Sequence, residues 1–357
     1  MEKKKVLIIQ DLIPHYRVPV FNELAKHVEL TVVYSDGKEP QGAHFTPVRL
    51  AQTKVLGLFR YHKKSYPMTK NFDAIITMLD GSCFTTRLLC ATPRRKKTIL
   101  WGIGVAAGYN MRYDGCPKTA EAVYKMIRKV AAAVFYSPYP AEKYAKMGIA
   151  PKKMFVANNT VPVLPVAETE KNTILFIGTL YRAKKIFELL TNYQNAYKKN
   201  PDLYNLVVVG DGEEYDAICQ WIKENGLEEK IQLTGAIFDD DILKAHFAKA
   251  IMCVSPDQAG LSVLKSMGYG VPFVTHKDAI TGGERFNIVD GENGVLFDDF
   301  DCLEKVFLDS IQNKEKYLQM GQMAKDHYFG NRTIPQMVDG FVQAIHFCCD
   351  DKKYKGV

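Results

Sequence analysis

The 357-residue sequence predicts an α/β protein in which two parallel-sheet domains follow one another. Three observations support this fold class. Short apolar runs typical of buried strands recur along the chain, they are separated by segments long enough for helical crossovers, and the same alternation begins again near the middle. The chain is longer than most single domains, and 47% apolar with 24% charged residues is typical of a folded globular protein.

The first half contains five strand-like runs. The first, residues 6–10, follows a basic start and precedes a predicted helix over residues 18–26. Residues 11–17 (DLIPHYR) therefore lie at the carboxyl end of a first strand, where open α/β sheets hold their ligands. No G-x-G-x-x-G follows this strand, which disfavours a nicotinamide or flavin site. The remaining predicted strands are residues 30–34, 74–78, 98–101 and 133–136.

Two later strand ends in the first half also carry polar residues or glycine, after residues 78 and 101. Either could line a cleft, although Gly102 and Gly104 could equally form only a tight turn. The polar cluster at 15–17 has no obvious packing reason, but Arg17 could also be a surface residue at a helix start. The candidate ligand-binding residues of this half are Asp11, His15, Tyr16, Arg17, Asp80, Trp101 and Gly102.

The second half repeats the architecture of the first without repeating its sequence. Residues 158–165 (NNTVPVLP) have turn chemistry, and we place the interdomain linker there. The predicted domains are residues 1–165 and 166–330, followed by a C-terminal helix and tail over 331–357, with the tail frayed. The predicted strands are residues 173–177, 206–209, 231–234, 250–254 and 273–275, and the predicted helices are residues 186–198, 213–225, 240–248, 301–312, 314–327 and 334–347.

Residues 255–275 (SPDQAGLSVLKSMGYGVPFVT) are predicted to form a loop, a short helix and a strand. A helix that opens on a glycine at the carboxyl end of a strand offers free backbone N–H groups and a positive dipole end. Both suit a phosphate or another anion. The alternative is a plain crossover helix of an α/β sheet.

The net charge of +7 is unevenly divided. Residues 1–167 have 26 Lys and Arg against 11 Asp and Glu, whereas residues 168–357 have 21 against 29. A basic first half could face nucleic acid, an anionic membrane or a phosphorylated substrate, or it could be solvated surface. Its clusters are Lys3 to Lys5, Lys63 and Lys64, Arg94 to Lys97, and Arg128 and Lys129.

The eight cysteines include no C-x-x-C pair and no histidine spacing of a metal site. This predicts reduced thiols and no bound metal. No secretory signal pattern and no 18-residue apolar run is present, so we expect a cytoplasmic protein.

Four segments resemble the retaining glycosyltransferases of family 4, and the resemblance covers nearly the whole chain. Residues 176–185 (FIGTLYRAKK) are similar to F-x-G-R-L-x-x-x-K-G, and residues 210–213 (GDGE) to a G-x-G-P/E turn. Residues 260–274 (GLSVLKSMGYGVPFV) are similar to the family's E-G-F-G-L-x-x-L-E-A-M-A-x-G-x-P-V-V, and residues 15–24 (HYRVPVFNEL) to its N-terminal segment. The resemblance implies the GT-B fold: two facing Rossmann-like domains, a cleft between them, and a C-terminal helix that returns to the N-terminal domain.

The resemblance also implies site residues, position by position. Lys184 matches the lysine that holds the donor diphosphate, whereas Thr179 stands where the family has arginine, for which Arg182 is the nearest substitute. The family's paired glutamates fall on Asp257 and Lys265. The implied catalytic residues are Arg182, Lys184 and Asp257, and the implied donor-binding residues are Gly178, Thr179, Gly210, Asp211, Gly212, Gly260, Leu261, Ser262, Lys265 and Glu284.

Lys265 reverses the charge of the family's second glutamate and cannot accept hydrogen bonds from a donor ribose. One interpretation makes it a helix-surface residue, with the ribose held by backbone or by Glu284. The other makes it a contact of a donor phosphate or a carboxylated sugar. We favour the first, because charges on helices are usually solvated.

The implied activity is transfer of a sugar from a nucleoside-diphosphate sugar to a glycan or lipid-linked acceptor with retention of configuration. It requires neither metal nor cofactor, and it fits bacterial surface polysaccharide or glycoconjugate synthesis. The basic first half would attach the protein peripherally to the inner face of the cell membrane. The missing glutamate and arginine leave an alternative, a catalytically silent sugar- or nucleotide-binding or assembly protein. Nucleic-acid binding is disfavoured because the basic clusters lack interleaved aromatic residues.

Overall fold

The computed structural model describes residues 2–108 and 111–349 and divides into two compact units. The N-terminal unit contains residues 2–106, 114–162 and 332–349, and the C-terminal unit contains the rest of the described chain. The division after residue 162 falls inside the segment expected to be the linker. The sequence did not predict that residues 107, 108 and 111–113 would group with the C-terminal unit. Positions 350–357 of the expected tail lie outside the described residues.

The N-terminal unit contains nine strands and five helices before the linker. The strands are β1 (Lys5–Ile9), β2 (Glu29–Tyr34), β3 (Thr46–Arg49), β4 (Gln52–Val55), β5 (Phe59–His62), β6 (Ala74–Met78), β7 (Thr98–Gly102), β8 (Ala132–Phe135) and β9 (Met154–Val156). The helices are α1 (Val18–His27), α2 (Ser65–Met68), α3 (Phe84–Ala91), α4 (Pro117–Ile127) and α5 (Pro138–Lys146).

Seven of these strands form one parallel sheet in the order β3-β2-β1-β6-β7-β8-β9, and β4 pairs with β5 in a separate antiparallel hairpin. The central strands are buried on both faces, which is why they read as continuous apolar runs rather than as alternating ones. The strand order reverses between β1 and β6, so the loops after these two strands diverge and leave a crevice.

The C-terminal unit repeats the design with six parallel strands. The strands are β10 (Thr173–Ile177), β11 (Asn205–Val209), β12 (Ile231–Gly235), β13 (Ala250–Val254), β14 (Phe273–His276) and β15 (Gly294–Phe297), and the helices are α6 (Ile186–Lys199), α7 (Tyr215–Glu224), α8 (Asp240–Lys249), α9 (Leu261–Gly268), α10 (Cys302–Gln312) and α11 (Lys314–Asn331). The order β12-β11-β10-β13-β14-β15 is that of a Rossmann sheet, and its reversal lies between β10 and β13.

The last helix, α12 (Ile334–Cys349), returns to the N-terminal unit, as expected. It packs against α1 and the β7–β9 side of the sheet through an apolar face that includes Phe341 and Ile345. Gly340 permits this approach, because a Cβ there would overlap the carbonyl oxygen of Val156. Within the described residues, no helix is long and apolar enough to span a bilayer.

Candidate functional site

Two glycine-rich loops interlock at the carboxyl edge of the C-terminal sheet. Leu180 N–H donates to the Asp211 carbonyl at 2.9 Å, which ties the loop after β10 to the loop after β11. A Cβ on Gly210 would overlap the carbonyl oxygen of Gly178, and a Cβ on Gly212 would overlap that of Leu180. The glycines in these motifs therefore allow the two backbones to approach each other.

The same loops line a cavity of about 520 Å³. Ala236, Ile237 and Phe238, which follow β12, form its remaining wall and were not predicted as site residues. The cavity brings together five of the expected donor-binding residues: Gly178, Thr179, Gly210, Asp211 and Gly212.

Lys184 is a buried cation beside this edge. Its residue is only 7% exposed, and its Nζ lies against Gly178 and 5.8 Å from the centre of the Phe176 ring. Burial lowers the pKa of Lys184 to about 8, opposed only by the neighbouring Cys253. No carboxylate of the described chain lies within ion-pair distance of this ammonium. An anionic ligand would supply the missing counter-charge.

Arg182 belongs to the same short 3-10 turn but is exposed. Its backbone N–H donates to Glu213 Oε1 at 3.3 Å, and its guanidinium has no acidic partner among residues 2–108 and 111–349. The structure thus places one buried and one exposed cation near the expected diphosphate position. Lys185, which the sequence analysis did not single out, adds a third and pairs with Glu188 at 3.3 Å.

Asp257 is a partly buried carboxylate in the loop after β13. Burial raises its pKa, while His276 and Lys185 lower it and Glu188 raises it further. Asp257 therefore belongs to a mixed cluster of charges. Only Asp257 could be predicted from the sequence, because Lys185 and Glu188 come from the start of α6 and His276 from the end of β14.

The amino end of α9 presents unpaired donors, as expected for residues 260–262. Gly260 precedes the helix, and the first backbone N–H groups, those of Leu261 and Ser262, have no acceptor in the described chain. The hydroxyl of Ser255, just after β13, is buried and also lacks a partner there. This edge of the sheet can therefore donate several hydrogen bonds to a ligand.

Lys265 is not the solvated helix residue that the favoured interpretation describes. Its ammonium forms an ion pair with the carboxylate of Asp240 in the first turn of α8, and the two side chains are only 14% and 28% exposed. The pair forms because α8 begins next to α9. The charge reversal at position 265 is therefore matched by a carboxylate within the same unit.

Glu284 is 7% exposed and serves its own loop. Its Oε2 accepts from Gly282 N–H at 3.0 Å and from the Thr281 hydroxyl at 3.4 Å. In this structure the carboxylate therefore orders its own loop, and its contact with a donor ribose stays a prediction.

The N-terminal unit has its own cavity, of about 480 Å³, at the carboxyl ends of β1, β6 and β7. His15 does not line it: this residue is exposed, and its ring meets Tyr16 edge-on at 5.7 Å. The other six expected residues of this half do line it: Asp11, Tyr16, Arg17, Asp80, Trp101 and Gly102.

Arg17 is a buried residue, 5% exposed, and not a surface residue at a helix start. Its Nη2 donates to Asn159 Oδ1 at 2.7 Å, and its guanidinium lies 5.3 Å from the ring centres of Tyr16, Trp101 and Tyr136. These contacts offset the cost of burying the charge. Arg17 is thus a fixed, buried part of the cavity wall.

The β4–β5 hairpin supplies His62 to the cavity wall, together with Gln52 and Arg60 as partners of the cavity carboxylates, and none of the three was predicted from the sequence. Asp11 accepts from Gln52 Nε2 at 2.7 Å, lies 3.0 Å from His62 Nε2, and pairs with Arg60. A second nitrogen of Arg60 pairs with Asp80. Arg60 therefore bridges the two carboxylates that follow β1 and β6.

Comparisons with solved structures cover both units. Anabaena HepE in complex with UDP is similar to this chain with a TM-score of 0.70 and 14% identity, and the match covers 96% of this chain and 99% of that chain. A mutant of Staphylococcus aureus TarM in complex with Fondaparinux, alpha-GlcNAc-glycerol and UDP is similar with a TM-score of 0.69 and 12% identity, and the match again covers 96% of this chain and 99% of that chain. A glycosyltransferase from Rickettsia africae has a TM-score of 0.71 at 13% identity, with 98% of this chain and 99% of that chain covered. At these identities the similarity shows the fold alone, and the chain has the expected GT-B fold.

The family comparison is narrower. Residues 165–327, a little less than half of the chain, match the model of the glycosyl transferases group 1. A Haemophilus influenzae protein described as an uncharacterized glycosyltransferase is 30% identical over 172 residues, which are 47% of each chain. The alignment thus spans about half the length of this relative. The matched residues lie in the C-terminal unit, which also contains the motifs at 176–185, 210–213 and 260–274.

Proposed function

We propose that this protein is a family 4 glycosyltransferase that transfers a sugar from a nucleoside-diphosphate sugar with retention of configuration. The observation that carries the proposal is the buried ammonium of Lys184, which has no carboxylate partner in the described chain and lies beside Gly178. An uncompensated buried charge is costly, and a diphosphate is a ligand that would offset that cost.

The donor side would act on the leaving group. When the bond between the anomeric carbon and the diphosphate oxygen breaks, negative charge develops on that oxygen and the sugar becomes oxocarbenium-like. Lys184, the exposed Arg182 and the free N–H groups at the start of α9 would stabilise this charge without a metal ion. Asp257 would accept hydrogen bonds from sugar hydroxyls. UDP sugars are the first donors to test, since HepE and TarM were solved with UDP.

We assign the acceptor to the cavity of the N-terminal unit. Its walls combine the aromatic rings of Tyr16 and Trp101 with the carboxylates of Asp11 and Asp80. Aromatic faces next to a few fixed polar groups suit a sugar ring with its hydroxyls. The acceptor would therefore be a glycan or a lipid-linked sugar, as in surface polysaccharide or glycoconjugate synthesis.

The excess of basic residues in the first half supports peripheral attachment to an anionic membrane on the cytoplasmic side. Sedimentation with vesicles tests this separately. Binding to vesicles that contain phosphatidylglycerol, but not to neutral vesicles, is the expected result at low salt. Equal binding to both kinds of vesicle would contradict attachment to an anionic membrane.

A silent sugar- or nucleotide-binding protein is the second candidate. The pairing of Lys265 with Asp240 favours it, because no carboxylate is available at position 265 for a donor ribose. Such a protein would bind a nucleotide sugar without consuming it.

A panel of nucleotide sugars separates these possibilities. Each is screened by calorimetry and then incubated with candidate acceptors, and the anomeric configuration of any product is read by NMR. Transfer with retention is the expected result. Binding of a donor without hydrolysis or transfer would favour the silent binder, inversion would overturn the mechanism, and binding of no nucleotide sugar would overturn both.

A further inference from the structure

Cys83 stands at the start of α3, in the wall of the N-terminal cavity. The end of the β4–β5 hairpin lies beside it: Arg60 N–H donates to the Ser82 carbonyl at 3.1 Å, and His62 N–H donates to Thr85 Oγ1 at 3.1 Å. These bonds fix the hairpin against the first turn of α3. They bring His62 next to the thiol of Cys83.

His62 is oriented from both sides. The residue is 1% exposed, its Nε2 lies 3.0 Å from Asp11 Oδ1, and its Nδ1 lies 3.5 Å from Thr85 Oγ1. The carboxylate of Asp11 therefore holds the Nε2 side of the ring. Cys83, His62 and Asp11 thus line the same cavity, with the imidazole of His62 held against the Asp11 carboxylate.

The surroundings of Cys83 favour its thiolate. Burial alone would raise its pKa, but hydrogen bonds from His62 and from the backbone and hydroxyl of Thr86, together with the charge of His62, lower the net pKa below the ordinary value. Cys90, near the other end of the same helix, is equally buried at 5% exposure. Within the described residues it has no such hydrogen-bond partners, and burial, opposed by the charge of Lys129, raises its pKa to about 11.

The same cavity contains polar atoms that lack a partner. Gln10 Nε2 and Trp101 Nε1 are buried without an acceptor in the described chain, and both residues line the cavity beside Cys83. Buried donors are usually satisfied, so these two indicate that the cavity takes a ligand. A metal ion is not indicated, since no three His, Cys, Asp or Glu residues of the described chain are placed to hold one.

We propose that Cys83, His62 and Asp11 form a nucleophilic site at which Cys83 is covalently modified by small uncharged electrophiles that enter the N-terminal cavity. The Cys83 proton moves to His62, and the sulfur forms a bond to the electrophilic atom. The leaving group departs with the electron pair of its bond, and the proton passes from His62 to solvent. The charged residues around the site are Asp11, Arg60 and Asp80.

Iodoacetamide labelling of the full-length protein, followed peptide by peptide by mass spectrometry, tests the proposal. Cys83 should be alkylated about tenfold faster than Cys90 near neutral pH, and faster than the exposed Cys219, because more of it is thiolate. His62→Gln should slow the alkylation of Cys83 by about tenfold and leave the alkylation rate of Cys219 unchanged. Thermal unfolding checks that the variant is folded.

The wild-type comparison stands even if the variant does not fold. Labelling of Cys83 no faster than Cys90 would overturn the proposal, and so would an unchanged Cys83 rate in folded His62→Gln. The labelling rates do not depend on glycosyl transfer. The labelling experiment therefore tests the nucleophilic site independently of the proposed function.

Discussion

The ammonium of Lys184 occupies the space into which a side chain at position 178 would extend. A Cβ on Gly178 would come within 2.5 Å of Lys184 Nζ, and Gly178 has a φ of +150°. The glycine is therefore required both by the backbone and by the position of the cation. The motif F-x-G followed by a lysine is explained by this contact.

Gly178→Ala should displace the ammonium and weaken UDP binding by about tenfold, the scale of a lost charge-assisted hydrogen bond. Gly226→Ala is the control. Gly226 also has a positive φ, of +62°, but open space where a Cβ would be, so this variant reports backbone strain alone. Calorimetry gives both affinities, and wild-type affinity in Gly178→Ala would disprove the role of the contact.

Lys184→Met should stabilise the fold while weakening UDP binding. The pKa of Lys184 is lowered by burial to about 8 in the folded protein, below its ordinary value of 10.5. The cost of the buried charge is therefore fully present below about pH 8 and disappears as the pH rises towards 10.5. Removing it should raise the free energy of unfolding by up to about 3 kcal/mol near pH 7, and by less near pH 9.

Lys171→Met is the matched variant for this measurement. The pKa of Lys171 is likewise lowered to about 8, mainly by burial, but its Nζ donates to the Phe247 carbonyl at 3.2 Å. It lies before β10, at the opposite edge of the sheet from Gly178. In urea unfolding, the stability of Lys171→Met should differ from that of the wild type. In calorimetry, its UDP affinity should equal that of the wild type. A stability of Lys184→Met below that of the wild type would contradict the assignment of a costly free charge.

UDP affinity should decrease above pH 8. Only the protonated Lys184 attracts the diphosphate, and its pKa in the unliganded protein is about 8. The protonated fraction is therefore about tenfold smaller near pH 9 than at neutral pH, and the apparent dissociation constant should rise by a similar factor. Lys184→Met should lack this dependence. A flat wild-type profile between these pH values would show that Lys184 does not hold the diphosphate.

Strands buried on both faces could be predicted from the sequence because their apolar runs are continuous. Residues 74–78, 173–177 and 250–254 form β6, β10 and β13 with the predicted bounds. The glycines at 178, 210 and 212 could also be predicted to lie at a ligand-binding edge, because they directly follow strands.

Pairings between distant segments could not be predicted. The β4–β5 hairpin reads QTKV and FRYH, short and mostly polar, so it resembles a loop. Its contact with Asp11 joins residues about 50 positions apart. The pairing of Lys265 with Asp240 was missed for the same reason, since the two residues belong to different helices and are 25 positions apart.

The Lys265 to Asp240 pair should behave as a structural ion pair. Lys265→Met leaves a partly buried carboxylate without its partner, and Asp240→Asn leaves the ammonium, so each should destabilise the C-terminal unit. A double-mutant cycle in urea should give a favourable coupling of about 1 kcal/mol. UDP affinity should change little in either variant. A large loss of affinity in Lys265→Met alone would place Lys265 at the donor instead.

The role of Lys184 as the anchor of a nucleoside-diphosphate site is tested most directly by calorimetric titration of UDP into the wild type, Lys184→Met and Lys171→Met at neutral pH. We expect saturable one-site binding to the wild type and to Lys171→Met, and an affinity at least about tenfold weaker for Lys184→Met despite its greater stability. Equal affinity in all three proteins, or a wild type that binds no UDP, would contradict the claim that Lys184 is the anchor of a nucleoside-diphosphate site.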